Sequence, residues 1–226
     1  MKLRVMTANL WGQRACPDAL AALLERLQPD VLAVQELGHA QAEAIASLLP
    51  HGRLEPRADY EGIGIALRRP AEVRSVPLAR RSARVARLAP DAWPGLEREV
   101  EVVNVHVLAP HALWPWRTWP TRTHQVRRLA GWLDENPHAA RVLCGDLNAT
   151  PLWPAYRRLA ARLRDVVAHH AERAGTRPPR TWGPWPGAPR LLRIDHVLAS
   201  GGDVVDLRAV PVAGSDHSAL VVDFEI

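Results

Sequence analysis

The sequence predicts an α/β protein in which mixed β-sheets carry helices packed on their outer faces. Two observations lead there. Short apolar runs of strand length recur from one end of the chain to the other, while segments with helical spacing are few, so a purely parallel, doubly wound sheet lacks its crossover helices. The 226 residues, 47% of them hydrophobic, suffice for one sizeable core, and no repeat or low-complexity tail interrupts them, so residues 1–226 read as a single domain.

The elements follow in order. LRVMTANL (3–10) alternates as a strand does, and Leu20, Leu23, Leu24 and Leu27 then line one face of a helix that Gln28-Pro29 ends. VLAVQE (31–36) is a buried strand, and a helix is expected near residues 39–49. Strand-like runs come next: GIGIALRR (62–69), EVRSVPL (72–78), ARVARLA (83–89) and REVEVVNVHVL (98–108). Val126, Leu129, Ala130 and Leu133 mark a further helix, and RVLCGD (141–146) a strand. Thr150-Pro151 is an N-cap signal with proline in the first turn, and Tyr156, Leu159, Ala160 and Leu163 supply that helix's apolar face. RIDHVLAS (193–200), DVVDLRAV (203–210) and SALVVDFEI (218–226) return to strands. Ala109 to Pro120 and Gly175 to Pro189 are rich in Pro, Gly and Trp and have neither period, so both are expected as long loops, which in compact domains are often functional.

The formal charge of +5 and a pI near 10.1 favour anionic partners such as nucleic acid, phosphorylated metabolites or lipid headgroups. Lys2 is the only lysine, and coding bias or adaptation to heat accounts for so many arginines as well as ligand binding does. No run approaches a membrane span and the N-terminus lacks a signal-peptide core, so a cytoplasmic chain without an obligate protein partner is expected. Cys16 and Cys144 have no metal-site spacing and are expected reduced, with Cys144 in the core.

Polar residues fall at the ends of the apolar runs. Asn9, Glu36, His106 and Asp146 each close a strand, Asp195-His196 opens one, and Asp216-His217 precedes the last. Strand ends in layered folds open onto one rim, where such residues converge. A lone Asp or His at a strand end is more often a turn residue, but this set supplies hard oxygen ligands suited to Mg2+ or Mn2+ together with groups that move protons. Glu36, closing so apolar a run, requires a partner if buried.

TANLW, PDVLAVQEL, GIGIALRR, NVHVL with RTHQVRRL, GDLNATP, RIDHVL and SDHSAL, in this order over nearly the whole chain, resemble the endonuclease/exonuclease/phosphatase superfamily, the group of deoxyribonuclease I, exonuclease III and the neutral sphingomyelinases. The resemblance implies a four-layer αββα sandwich of two packed mixed β-sheets. It implies a metal site at Glu36 with Asn9 beside it and Asp216 as a further metal or hydrogen-bonding position, an Asp146 that orients or deprotonates the attacking water, and a phosphate-holding Asn148. It further implies a histidine at the scissile phosphate, His217, oriented by Asp195, and a second phosphate-facing histidine, His106. Attack on an anionic phosphodiester needs cationic clamps and a positioned water, which these residue types supply.

Departures narrow the substrate. Trp11 stands where exonuclease III-like enzymes carry an aspartate, and His106 where they carry a tyrosine, which disfavours abasic-site repair. Glu61, seven residues before Arg68, resembles in spacing the glutamate that pairs with a catalytic histidine in deoxyribonuclease I, although a loop glutamate is the plain alternative. Trp114, Trp116 and Trp119, with Trp182 and Trp185, pin Pro-rich loops to the core, stack on bases for roughly 1–3 kcal/mol each, or grip a lipid tail, in that order of preference. Arg117, Arg122, Arg177 and Arg180 nearby suit phosphate contacts. No G-x-S-x-G elbow, P-loop or dinucleotide fingerprint is present. The expectation is a metal-dependent phosphoesterase, first a DNA nuclease of low sequence specificity. A phosphatase or phosphodiesterase on a small or lipid-linked ester comes next, and a noncatalytic nucleic-acid-binding module on the same fold last.

Overall fold

The computed structural model describes residues 2–112 and 114–226. One sheet contains β1 (Lys2–Asn9), β2 (Val31–Gln35), β3 (His51–Glu55), β4 (Ile63–Leu67), β11 (Asp203–Pro211) and β12 (Ser218–Glu225), in the order β11-β12-β1-β2-β4-β3. The other contains β5 (Glu72–Pro77), β6 (Ser82–Leu88), β7 (Val100–His106), β8 (Arg141–Asp146), β9 (Arg164–Asp165) and β10 (Asp195–Ser200), in the order β5-β6-β7-β8-β10-β9. Each sheet has one parallel pair at its centre, β1 with β2 and β7 with β8, and antiparallel pairing elsewhere. Both are therefore mixed, and both point the carboxyl ends of their central strands at the same rim.

Period-two alternation makes the layers. On β1, Leu3 and Val5 face the other sheet in one apolar cluster with Val102, Val142, Leu220 and Phe224, while Met6 and Ala8 pack outward. Leu20, Leu23, Leu24 and Leu27 of α1 (Pro17–Leu27) and Ile45 of α2 (His39–Ala46) cover that outward face. Val126, Leu129, Ala130 and Leu133 of α3 (Pro115–Glu135) and Leu159 of α4 (Pro154–Ala160) cover the second sheet. The result is the αββα sandwich. α5 (Val166–Arg173), N-capped by Asp165, adds Val166 and Val167 to the inter-sheet core.

The inter-sheet layer changes character towards the rim. Beyond the apolar pairs lie Thr7, Gln35 and Asn104, where Gln35 Nε2 donates to Thr7 Oγ1 (3.1 Å) and Asn104 Oδ1 (2.6 Å). Asn104 Nδ2 donates to the carbonyls of Val34 (2.9 Å) and Gly64 (2.7 Å), tying the two sheets together directly beneath the polar strand ends. Cys144 is buried in this layer, as expected of strand core.

Several local expectations change. Helix α3 begins at Pro115, inside the stretch expected as loop, of which Leu113 lies outside the described residues. Its inner face continues as Thr118, Arg122 and Gln125, buried at helical spacing, so polar residues hid the period from a count of apolar ones. Helix α4 starts at Pro154, not Pro151: Trp153 N–H donates to Thr150 O (3.0 Å) in a preceding turn. β3 is an exposed edge strand without apolar alternation, and β9 and α5 are short; none was expected. Arginine abundance also acquires a structural outlet, since Arg4, Arg84, Arg141 and Arg193 are among those paired with carboxylates inside the fold.

Candidate active site

Register brings the strand ends together. Asn9 is level with Gln35, His106 with Asp146, and Asp146 with Asp195. Glu36 follows β2 with φ of 53°, a left-handed conformation that breaks the strand's alternation at the residue where a carboxylate reaches the inter-sheet rim. Asn148 (φ 48°) and Trp11 (φ 52°) carry the same signature at the ends of β8 and β1. Gly145 sits inside β8 at φ 134°, where a Cβ would lie 2.0 Å from Val105 O; the positive φ and the close approach to β7 both require glycine.

Two ligand-type clusters result. Atoms of Glu36, His106 and Asp146 lie within 4.8 Å of one another, as do atoms of Asp146, Asp195 and His217, so Asp146 belongs to both. Asn9 Nδ2 donates to Glu36 Oε1 (3.1 Å) and Asp146 Oδ2 (3.0 Å), and its Oδ1 accepts from Trp11 N–H (2.9 Å). As placed, Asn9 presents its amide donors to the carboxylates and orients them. Asn148 N–H donates to Asp146 Oδ1 (2.7 Å), while its Nδ2 reaches Asp146 Oδ2 (3.0 Å) and Val107 O (3.0 Å). Glu36 Oε2 is buried and has no hydrogen-bond partner among the described residues. Burial raises the Glu36 pKa despite the Asn9 hydrogen bond. A carboxylate with one buried oxygen lacking a donor, clustered with an imidazole and a second carboxylate, fits a hard divalent cation.

The second cluster is an imidazole–carboxylate pair. His217 Nδ1 lies 2.8 Å from Asp195 Oδ2, and its Nε2 4.0 Å from Asp146 Oδ2. Burial opposes charge on His217, but the carboxylates of Asp195, Asp146 and Asp216 outweigh it and raise its pKa to about 10. Burial likewise works against Asp195, whose pKa is nonetheless held below the ordinary value by His217 and by Thr181. Asp146 is pushed up to about 7 by burial and by the charge of Asp195. His106, fully enclosed, goes well below 6.5 through burial and the neighbouring Arg81, so it is neutral at pH 7.

The loop before β12 is held in place by residues the sequence did not single out. Ser215 Oγ donates to Asn9 O (2.8 Å) and accepts from His217 N–H (3.0 Å), and Arg190 donates to the carbonyls of Asp216 (2.7 Å) and His217 (3.0 Å). Asp216 accepts from Trp182 Nε1 (3.0 Å), and its buried Oδ1, with no hydrogen bond among the described residues, lies 3.9 Å from His217 Nε2; it belongs to neither ligand cluster. Opposite, Gln125 accepts from Leu108 N–H (3.0 Å) and donates to Ala79 O (2.7 Å), fixing the ends of two cleft loops.

Glu36, His106, Asp146, Asn148, Asp216 and His217 line a cleft of about 420 Å3 that also includes Trp11, Tyr60 and Arg81. Arg81 is the main functional candidate that sequence reasoning missed. Its Nη1 donates to His106 O (3.3 Å), its buried Nε has no hydrogen-bond partner among the described residues, and a recess of about 170 Å3 beside it is lined by Arg57, Arg80 and Glu61 among others. Nothing but its position in the fold separates it from the other arginines.

The expected substrate contacts are corrected in part. Arg122 is only 2% exposed and spends its guanidinium on the carbonyls of Leu108 and Asn148, so it positions the site and is not open to a phosphate. Burial lowers its pKa to about 10. Trp114 and Trp116 stack on each other, 5.3 Å apart, with 66% and 68% of their surface exposed, so they do not pin a loop to the core. Neither they nor the exposed Arg117 line the cleft. Trp119 does pack, against Trp153. Glu61 is exposed and acts on Arg81; the carboxylates within ion-pair distance of His106 are Glu36 (3.6 Å) and Asp146 (3.7 Å). Trp182 lines the cleft.

No curated protein matches the sequence significantly. Among solved structures, a humanized TDP2 of D. rerio superposes with a TM-score of 0.76 at 18% identity over 100% of this chain and 99% of its own. The human Nocturnin catalytic domain gives 0.72 at 21% identity over 99% and 94%, and an AP endonuclease from Archaeoglobus fulgidus 0.73 at 18% over 99% and 100%. At these identities the likeness is one of fold. A family model matches residues 6–217, nearly the whole chain and every strand end described above, and on that ground the protein belongs to the endonuclease/exonuclease/phosphatase family, whose members are divalent-metal-dependent hydrolases of phosphodiesters and phosphate esters.

Proposed function

We propose that the protein is a Mg2+- or Mn2+-dependent phosphodiesterase that acts on DNA with little sequence preference. The observation that carries this is the orphaned oxygen of Glu36 in a three-residue ligand cluster that shares Asp146 with a charged His217–Asp195 pair. Glu36, Asp146 and His106 would hold the cation, which when bound supplies positive charge to the phosphoryl oxygens and acidifies a water.

The chain's own groups do the rest. His217, protonated across the neutral range, donates from Nε2 to a phosphoryl or leaving oxygen, and Asp195 keeps its ring oriented through Nδ1. Asp146, held through Oδ1 by the Asn148 N–H, would orient the attacking water and accept its proton. Asn148 amide and Arg81 guanidinium face the same cleft as neutral and cationic donors to the phosphate. The basic surface and aromatic cleft walls Trp11, Tyr60 and Trp182 favour a polyanion with stackable bases.

A parallel assay with Mg2+ or Mn2+ on plasmid DNA, RNA, bis-p-nitrophenyl phosphate and p-nitrophenyl phosphate tests the reading. Metal-dependent nicking of the plasmid, abolished in Asp146→Ala and His217→Ala while the fold remains, is the expected result. Affinity for DNA should fall steeply with salt. Turnover of p-nitrophenyl phosphate without nicking assigns a small or lipid-linked ester instead, and equal turnover by wild type and both variants removes the site.

A further inference from the structure

Large apolar side chains stand exposed along one run of the surface. Trp114 and Trp116, at the start of α3, stack on each other and leave their outer faces to solvent. A turn later, exposed Trp119 meets the Trp153 ring at 5.6 Å, beside Leu152, which is 74% exposed. Trp153 shares a groove with Leu192, and Leu191 and Leu192 fold back on Trp182 to close a loop that carries exposed Trp185. One exposed apolar residue is ordinary, whereas a contiguous set of this kind marks an interaction surface. Its charge is one-sided. Residues 107–133, 147–164 and 173–194, which build the surface, contain none of the chain's 24 acidic residues, while Arg117, Arg127 and Arg158 are exposed among the tryptophans and leucines.

We propose that this surface docks the protein on an anionic lipid bilayer. The tryptophans sit in the headgroup layer, the leucines reach the acyl boundary, and the arginines meet the lipid phosphates. Two features favour a bilayer over a second stretch of nucleic acid. Bases stack on free aromatic faces, and Trp114 and Trp116 have each spent one face on the other. Exposed leucines offer a base nothing to stack on, whereas burying them in an acyl layer is favourable in proportion to their area. Docking of this kind needs no spanning helix, and among the described residues none is long and apolar enough to be one. Trp114, Trp116, Trp119 and Leu152 are not part of the cleft lining, so docking does not depend on the phosphoesterase reading.

Co-sedimentation of the intact protein, without divalent metal, is compared for phosphatidylcholine vesicles with and without phosphatidylglycerol. Quenching of tryptophan fluorescence by lipids brominated on the acyl chain reports insertion. The expected result is binding that requires phosphatidylglycerol and is quenched by bromine, with affinity lower by about tenfold or more in the double variant Trp114→Ser/Trp116→Ser and in Leu152→Glu. All three positions are exposed, so circular dichroism and the melting temperature of both variants should match the wild type. No binding, or binding that ignores phosphatidylglycerol, overturns the proposal. Unquenched binding that is equal in wild type and variants also overturns it, because charge alone then holds a basic protein to the vesicle. Affinity for single-stranded oligodeoxythymidylate that falls in the same variants while vesicle binding is unchanged assigns the surface to nucleic acid and overturns docking.

Discussion

Asp195→Asn withdraws the charge that keeps His217 protonated while leaving a side chain of nearly the same size. In the native site burial favours neutral imidazole, and the carboxylate of Asp195, 2.8 Å from Nδ1, leads the groups that reverse this and bring His217 to about 10. From an ordinary value near 6.5 that is on the order of 5 kcal/mol in favour of the imidazolium, shared with the more distant Asp146 and Asp216. Losing the nearest contributor lets burial dominate, so the variant's imidazole releases its proton near or below neutrality instead of near pH 10. With kcat/KM on bis-p-nitrophenyl phosphate measured from pH 5 to about 9 at saturating Mn2+, we expect a drop on the order of a thousandfold at pH 8. Imidazole NMR of the metal-free protein follows the pKa directly. Activity within about threefold of wild type, or a wild-type His217 that titrates near its ordinary value, refutes the role.

Other outcomes follow from buried groups and close contacts. His196, whose Nε2 donates to Ala149 O (2.8 Å) and whose Nδ1 has no partner, is brought down to about 4 by burial and by Arg193. A depressed pKa contributes stability that is complete above about 6.5 and lost as pH falls towards 4, on the order of 3 kcal/mol; urea melts at pH 7.5 and 4.5 should show a smaller acid loss for His196→Gln, and equal losses refute this. Glu101, 1% exposed, accepts from Arg141 Nε (2.7 Å) and Arg74 (3.0 Å). Glu101→Gln leaves buried Arg141 without its counter-charge and should cost about 3–5 kcal/mol by urea midpoint, with a loss under about 1 kcal/mol contradicting the account. Gly145→Ala places a Cβ against Val105 O at 2.0 Å and should cost more than about 2 kcal/mol; an unchanged melting temperature would show that β7 and β8 can separate.

The legible parts of the sequence were those where physical character has a period. The alternation in LRVMTANL, the apolar run in RVLCGD and the spaced leucines of α1 mark burial directly, and the structure forms a strand, a strand and a helix there. The front of α3 was not legible because Thr118, Arg122 and Gln125 occupy buried helical positions with polar side chains. The partners of Arg122 and Gln125 are loop carbonyls and an amide at Ala79, Leu108 and Asn148, outside the helix, and no local pattern announces such a match. Trp114 and Trp116 misled in the opposite direction, since their size suggested packing and they stand exposed against each other.

For the site, the sequence by itself determined the chemistry: which carboxylates, amides and imidazoles close the strands, and that such a set suits a hard cation and a phosphate. The tertiary structure alone decided who meets whom. Asp146 serves two clusters because β8 lies between β7 and β10, Glu36 reaches them through a left-handed backbone turn, and Arg81 enters the cleft while Arg122 is consumed beneath it. Electrostatic and hydrogen-bonding energies depend on distance in space and on burial. Strand order and the packing of two sheets set both quantities, and neither is written in the local spacing of residues.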